Sequence, residues 1–224
     1  MNIQDAVKAR KSIRNFFSDP VPKDLLAAIL QEACRAPSAN NTQPWEFFFL
    51  GGKALEKVRQ TNLEQLRAGV FPEPESVHID WPKDSVYRTR QVDLAKDLFR
   101  LMDIQRDDHV GRVNWMERGF GYFNAPTALI VVTGKCLPES GPLLDIGGFL
   151  QTFCLLCVAN GLGTCIEDQG VMYPKTLREI AGIPDEKRII MAVAVGYPDW
   201  DFPANSIKSK RAPASDLTTW VGFD

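Results

Sequence analysis

Residues 189–195, Ile-Ile-Met-Ala-Val-Ala-Val, followed by Gly196-Tyr197-Pro198, decide the fold class. Seven consecutive apolar residues, four of them β-branched and closed by a glycine and a proline, read as a strand covered on both faces. Residues 128–133, Ala-Leu-Ile-Val-Val-Thr, repeat the pattern, residues 45–50 give a third strand, and residues 163–166 a short extended piece. Between them the apolar spacing turns helical. Asn2 caps a first helix expected to run to about residue 11 or 12. Pro22 opens a second over 24–35, with Leu25, Leu26, Ile29, Leu30 and Ala33 on one face. Gly51-Gly52 reads as a turn before a helix over 53–66. Further helices are expected over 92–102, over 145–160 with Asn160-Gly161 as a left-handed stop, and over 174–181 with Gly182 after it. Helices alternating with a few short strands make a mixed α/β layer protein.

The chain has 224 residues, enough for a sizeable core, and no internal repeat or low-complexity tract divides it. Lys and Arg total 26 against 28 Asp and Glu, a net charge of −2, so no global basic excess points to nucleic acid or to an anionic membrane. The opening Met1-Asn-Ile-Gln-Asp5 has no basic stretch leading into an apolar run, so no secretory leader is expected. The longest apolar runs fall far short of the roughly 20 residues that cross a bilayer. Five cysteines, an odd number in a chain large enough to need no staples, predict reduced thiols and a cytoplasmic home. Residues 69–90 are proline-rich, charged and irregular in pattern, and 103–119 are strongly charged. The stretch 69–119 is therefore expected to be an insertion or lid on one domain that spans 1–224.

Motif absences narrow the chemistry. His78 and His109 stand in unrelated contexts, and there is no HExxH, Gly-x-Ser-x-Gly, P-loop or strand-following Gly-x-Gly-x-x-Gly. Hydrolytic zinc, nucleophile-elbow, ATPase and Rossmann readings thus lack support, and no metal site is expected. Cys154-Leu-Leu-Cys157 has redox spacing, but it lies inside an apolar helical run without a second ligand pair and reads as core thiols.

Three polar segments remain. Residues 8–14, Lys-Ala-Arg-Lys-Ser-Ile-Arg, carry four cations with no acid between Asp5 and Asp19. They fit either a helix end that complements its dipole or an anion site, in which Arg10 and Arg14 would share a helical face and Ser12 would add a hydroxyl. Lys208, Lys210 and Arg211 form a second acid-free cluster near the other end; alone it reads as a solvated tail, but a phosphate dianion could draw both clusters together. The loop Pro37-Ser-Ala-Asn-Asn-Thr-Gln-Pro-Trp45 is dense in uncharged donors and acceptors. It suits the edge of a pyrimidine-type ring, or an ordinary surface turn.

Together these pieces resemble the nitroreductase family of FMN-dependent oxidoreductases. The resemblance rests on Arg10-Lys-Ser-Ile-Arg14 after a short first helix, on Ala36-Pro-Ser-Ala-Asn-Asn-Thr-Gln-Pro-Trp45 after the second, and on Gly161-Leu-Gly-Thr-Cys165 with Ile166-Glu-Asp-Gln169. It continues through the strand ending at Gly196-Tyr-Pro and closes on Lys208-Ser-Lys-Arg-Ala-Pro213.

The resemblance implies an α+β fold with a central, mainly antiparallel sheet flanked by helices. It implies an intertwined homodimer with exchanged C-terminal tails and FMN at the subunit interface. By that likeness Arg10, Ser12 and Arg211 meet the phosphate and ribityl side, Lys11 contributes mainly backbone, and Arg14 meets the pyrimidine edge. Pro37, Ser38, Asn41 and Gln43 line the ring edge or come from the other subunit. Cys165, Ile166 and Glu167 pass over the ring system, with Asp168 close by. Ser209 stands where the family tail often carries a basic residue, and Asp168 where the family usually has a small or apolar one. The implied activity is NADH- or NADPH-driven reduction of nitroaromatic or quinone acceptors by a ping-pong cycle, with no obligatory side-chain acid or base. The same scaffold also suits alkene reduction, dehalogenation or flavin binding without turnover. Phe120, Tyr122, Phe123 and Tyr87 read as ordinary core or surface aromatics or as walls for an aromatic ligand, and Arg88 and Arg90 as solvated loop charges or as carboxylate or phosphate contacts.

Overall fold

The computed structural model describes residues 1–76 and 81–223; His78 lies outside the described residues. Four strands, β1 (Glu46–Gly51), β2 (Thr127–Gly134), β3 (Gly163–Glu167) and β4 (Lys187–Gly196), form one sheet in the order β1-β2-β4-β3, and every neighbouring pair is antiparallel. The continuous apolar runs have a direct cause. One face of the sheet carries Phe47, Phe49, Leu129, Val131, Val193 and Val195 against helices α2 (Lys23–Ala33) and α6 (Leu143–Ala159). The other carries Leu50, Ala128, Ile130, Val132, Ala192 and Ala194 against α3 (Gly52–Arg67) and α7 (Pro174–Ala181). With no solvated face, no polar alternation is needed. Cys154 and Cys157 are buried free thiols within α6, as core packing predicts.

Several boundaries depart from the sequence reading. Helix α1 (Ile3–Ala9), capped by the Asn2 side chain, stops two or three residues early. Arg10 already leaves at φ −60, ψ 124, so Arg10 and Arg14 share no helical face. The cause lies downstream, where the chain is drawn out along the edge of β3. The Ile13 N–H donates to the Thr164 carbonyl at 2.9 Å, Ser12 bridges Thr164 in parallel, and the Phe17 N–H donates to Tyr197. Gly163 permits this approach; a Cβ there would come within 2.6 Å of Ile13 Cγ1 and 2.7 Å of Pro198 Cγ.

Gly52 begins α3 directly rather than forming a turn. Within 69–119 two helices appear, α4 (Val86–Leu101) and α5 (His109–Phe120). The helix expected over 92–102 is the later part of α4, whose first turns are hidden by polar composition, as is all of α5; each has a sequence-local cap: Ser85 Oγ accepts from the Arg88 N–H and Asp108 Oδ1 from the Gly111 N–H. Among the described residues no helix is long and apolar enough to cross a membrane.

The stretch before α4 is tied to the sheet by one carboxylate. The β2–β4 register slips between Val131 and Val132, and at this bulge Glu75 Oε2 accepts from the Ile189 N–H at 2.7 Å. Arg178 Nη2 donates to both Glu75 oxygens at 2.6 and 2.7 Å, and Lys135 Nζ lies 3.5 Å away. Burial pushes the Glu75 carboxyl up, but Arg178, the Ile189 N–H and Lys135 together bring it below its ordinary value of 4.5. A lowered carboxyl stabilises the fold fully above 4.5 and loses that contribution as pH falls through its folded-state value. Glu75→Gln is therefore expected to destabilise the protein by about 2 kcal/mol at neutral pH, the scale of charge-assisted hydrogen bonds. Denaturant titration should show the gap from wild type closing at acid pH; a gap of constant size would exclude a charged anchor.

Candidate functional site

The extended segment after α1 carries its cations to the open end of β3. Arg14 lines a cavity of about 370 Å3 with Cys165, Ile166, Glu167 and Asp168, the residues quoted from β3 and the turn that follows it. Leu98 of α4, Trp115 and Met116 of α5, and Phe123 complete the wall. Of the four candidate aromatic walls, Phe123 alone lines this cavity. Phe120 and Tyr122 are core residues, and Tyr87 stacks near Trp81 at 5.8 Å in another cavity. Arg88 lies in a cavity between α4 and α5, and Arg90 in the one beside Arg211.

Asn205 fixes the cationic segment. Fully buried, it accepts the Arg14 N–H on Oδ1 at 2.6 Å and donates from Nδ2 to the carbonyls of Asn15 (2.9 Å) and Asp199 (2.7 Å). Its own carbonyl accepts from Lys11 Nζ at 2.8 Å. The ammonium of Lys11, a residue expected to contribute mainly its backbone, is thus held in place. Burial first, and the Lys208 ammonium second, keep Lys11 below the ordinary lysine range. Two cations face each other here, and among the described residues no carboxylate pairs with either. Arg118 of α5 supports the same segment. Its Nη2 donates to the Arg14 carbonyl at 2.8 Å and to Asn15 Oδ1 at 2.7 Å, while its guanidinium lies 4.4 Å from the centre of the Phe202 ring.

Burial holds two of the cavity's side chains, Cys165 and Glu167, toward their neutral forms. Burial pushes the Cys165 thiol up to about 12 despite the opposing pull of Arg14, so it is no thiolate nucleophile. Burial likewise pushes the Glu167 carboxyl up to about 8. Among the described residues, no group of three or more His, Cys, Asp or Glu side chains could hold a metal ion. What remains is a partly apolar slot with an arginine at its wall and an ammonium pair nearby, a setting for an aromatic, phosphorylated ligand rather than for side-chain covalent chemistry.

The other predicted residues lie elsewhere in this chain. Pro37 and Ser38 line a separate cavity of about 580 Å3 with Leu143, Leu144 and Asp145 at the start of α6. That loop is tightly bonded internally: Ser38 Oγ accepts the Gln43 N–H, Gln43 Nε2 donates to the Asn41 carbonyl, and Asp145 Oδ2 accepts the Ala39 N–H. Arg211 lines a third cavity, against α4, where its Nη1 donates within its own tail to Ser209 and Lys210. Sequence reasoning missed Asn205, Arg118 and the Leu98–Trp115–Met116 wall. It noted Lys208 without placing it beside Lys11, and the acid-free composition of the tail was the one signal available.

Comparison with known proteins agrees with this geometry. The sequence model of the Nitroreductase family matches residues 7–197. A chloronitrobenzene nitroreductase of Comamonas testosteroni is 31% identical over 98% of this chain and 96% of its own. A 4-nitrobenzoate reductase of Pseudomonas putida is 30% identical over the same shares. The crystal structure of an FMN- and NADPH-dependent nitroreductase, NfnB from sphigopyxis sp. strain HMH, superposes with a TM-score of 0.94 at 28% identity, covering 100% of both chains. A central antiparallel sheet between helical layers, a cationic segment strapped along its edge, and these full-length likenesses lead to one conclusion: the chain belongs to the nitroreductase family.

Proposed function

We propose that this protein is an FMN-dependent oxidoreductase that uses NADH or NADPH to reduce nitroaromatic or quinone-type acceptors. The observation that carries the reading is the convergence of Arg14 with Cys165–Asp168 on one cavity, beside the facing ammoniums of Lys11 and Lys208. The relatives that act on chloronitrobenzene and 4-nitrobenzoate, and the FMN- and NADPH-dependent structural neighbour, support it.

The residues present fit FMN. Lys11, whose charge is disfavoured by burial and by Lys208, is relieved by an anion between the two, as a phosphate would be. Arg10 and Ser12, with Arg211 from a tail, would complete the phosphate and ribityl side. Arg14 holds a fixed positive charge where the pyrimidine edge would lie, with its backbone locked by Asn205 and Arg118. Cys165, Ile166, Glu167 and Asp168 would form the wall behind the ring system, and the apolar groups of α4 and α5 would exclude water from its open face. Held by these residues, FMN would supply the redox chemistry between a nicotinamide donor and an acceptor that share the slot.

Pro37, Ser38, Asn41 and Gln43 would reach this cavity from a second copy of the chain. Three separate cavities for the predicted contacts, exposed Ile3, Val7 and Leu144, and a tail exposing Leu217, Trp220, Val221 and Phe223 all support an intertwined dimer with exchanged tails. We read 1–224 as one FMN-binding domain in which 69–119 forms a lid, and five free thiols fit a reducing cytoplasm.

Purified protein supplied with FMN is expected to be yellow, to bleach anaerobically with NADH or NADPH, and to recover colour repeatedly on addition of a nitroarene or quinone. Protein that takes up no FMN would end the reading; bleaching without reoxidation by any acceptor would leave a flavin carrier. Arg10→Ala, Lys208→Ala and Arg211→Ala should each raise the FMN Kd about tenfold or more, since a charge-assisted contact is worth about 1.5–3 kcal/mol. Unchanged affinity would remove that residue from the phosphate site. Sedimentation of the holoprotein should show a dimer, and a monomer retaining full FMN occupancy would refute the shared site.

A further inference from the structure

Glu167, the last residue of β3, turns its side chain inward together with Cys165, while the intervening Ile166 faces out. The residue is 7% exposed, and among the described residues its carboxyl is only half satisfied. Oε2 accepts the Gly170 N–H at 2.8 Å, and Oε1 is buried without a partner. The Tyr122 hydroxyl, itself fully buried, donates to the Gly170 carbonyl at 2.6 Å. Both side chains thus grip one peptide neighbour, and the grip is close. A Cβ at Gly170 would stand 2.5 Å from Glu167 Oε1 and 2.5 Å from Tyr122 Cε1. The segment held this way, through the 3-10 turn Gln169–Val171, carries the Glu167–Gln169 wall of the cavity.

The charges around this clasp do not favour a carboxylate. Asp168 adjoins it, the neutral Cys165 thiol lies on the same strand face, and Arg14 faces Cys165. The charge of Arg59 acts on Tyr122, but its guanidinium is spent on Glu56 and on the carbonyls of Gly121 and Ala125. Among the described residues no cation pairs with Glu167. An ionised carboxylate with one bare buried oxygen is far costlier than the neutral acid, which keeps the Gly170 bond and buries no net charge.

We propose that Glu167 works as a neutral carboxylic acid that, together with Tyr122, positions the 167–171 turn of the cavity wall, so that FMN retention is coupled to the proton on this side chain. The inference rests on the FMN reading but adds a positioning role to a side chain that the reading uses only as part of the wall. Binding a further anionic group over the wall disfavours ionisation still more, so losing the proton and losing FMN are linked.

The test is the FMN Kd, followed by flavin fluorescence from slightly acid pH to well above 8, in wild type, Glu167→Gln and Glu167→Ala. Wild type is expected to bind tightly below about 8 and to weaken by up to about tenfold per pH unit above it. Glu167→Gln, which keeps an acceptor for Gly170 and carries no proton to lose, should bind tightly with this inflection absent. Glu167→Ala should bind weakly throughout.

An arm free of FMN uses apoprotein. The folded carboxyl lies above its ordinary value of 4.5, so wild type should lose stability relative to Glu167→Gln as pH rises from 4.5 to about 8, and the gap should stay constant beyond. Should Glu167→Gln not fold, infrared spectra of wild type supply the same reading. A protonated carboxyl band that survives at neutral pH and disappears above 8 is expected, and its absence at neutral pH would overturn the proposal. A Glu167→Gln protein that keeps the wild-type pH inflection would also overturn it while leaving the FMN reading intact. A wild-type chain that takes up no FMN at any pH would fail the functional reading itself, and the apoprotein melting would still report on the proton.

Discussion

The backbone bond from the Ile13 N–H to the Thr164 carbonyl, made over Gly163, is the constraint on which the rest of the structure depends. It ends α1 at Ala9 and converts the following residues from a helix end into an edge strand beside β3. In an extended chain residues two apart share a side, so Arg10, Ser12 and Arg14 run along one edge instead of spiralling away from it. Ser12 and Arg14 both bear on the Cys165 thiol, as that placement requires. A larger residue at 163 would lift the segment from the sheet and displace its cations from the cavity together.

Two polar side chains, the buried Asn205 and the half-buried Arg118, then lock the segment from either side. Asn205 reads the backbone of Arg14 and Asn15 from the tail, and Arg118 reads the same two residues from α5. Each comes from a part of the chain remote in sequence, so the anchoring segment, α5 and the tail are joined at Arg14. A fully buried amide with its hydrogen-bonding groups engaged is specific as well as stabilising, because a register shift of the segment would strand it. The same frame holds the Lys11 ammonium on the Asn205 carbonyl, where the Lys208 charge acts against it.

How much of this was legible follows from what each element buries. The strands showed clearly because both faces of the sheet are covered, and Ile189–Val195 has no polar position to confuse the period. Helix α6 showed for the same reason. The first turns of α4 and the whole of α5 did not, since α4 buries little beyond Leu98 and α5 little beyond Gly119 and Phe120, and their caps, Ser85 and Asp108, look like ordinary loop residues. The cationic and amide segments were recognisable by composition, yet their placement in three cavities depends on long-range pairing that spacing does not encode. Asn205 gave no signal at all. Its role comes from four partners in two distant segments, and a single asparagine near a proline reads as a turn.

Backbone strain completes the picture of where the fold concentrates its costs. Two runs of non-glycine residues lie in the left-handed region: Asn40, Asn41 and Gln43 (φ 50, 59 and 48), and Tyr122, Phe123 and Asn124 (φ 54, 51 and 62). Asparagine tolerates this conformation, but glutamine and the aromatics do not, at a cost of order 1–3 kcal/mol each. The second run is clamped at both ends by Arg59, whose Nε and Nη2 donate to the carbonyls of Gly121 and Ala125 at 2.9 Å, and from within by the Tyr122 bond to Gly170. The result of this clamping is that Phe123 reaches the cavity wall while Tyr122 turns into the core. Alternating two adjacent aromatics between a cavity and a core over so short a span requires a tight left-handed turn, and glycines there would relieve the strain only by removing the rings. Conformational cost therefore gathers beside the cavities, where the surrounding hydrogen bonds are numerous enough to hold it, and the sheet beneath carries none of it.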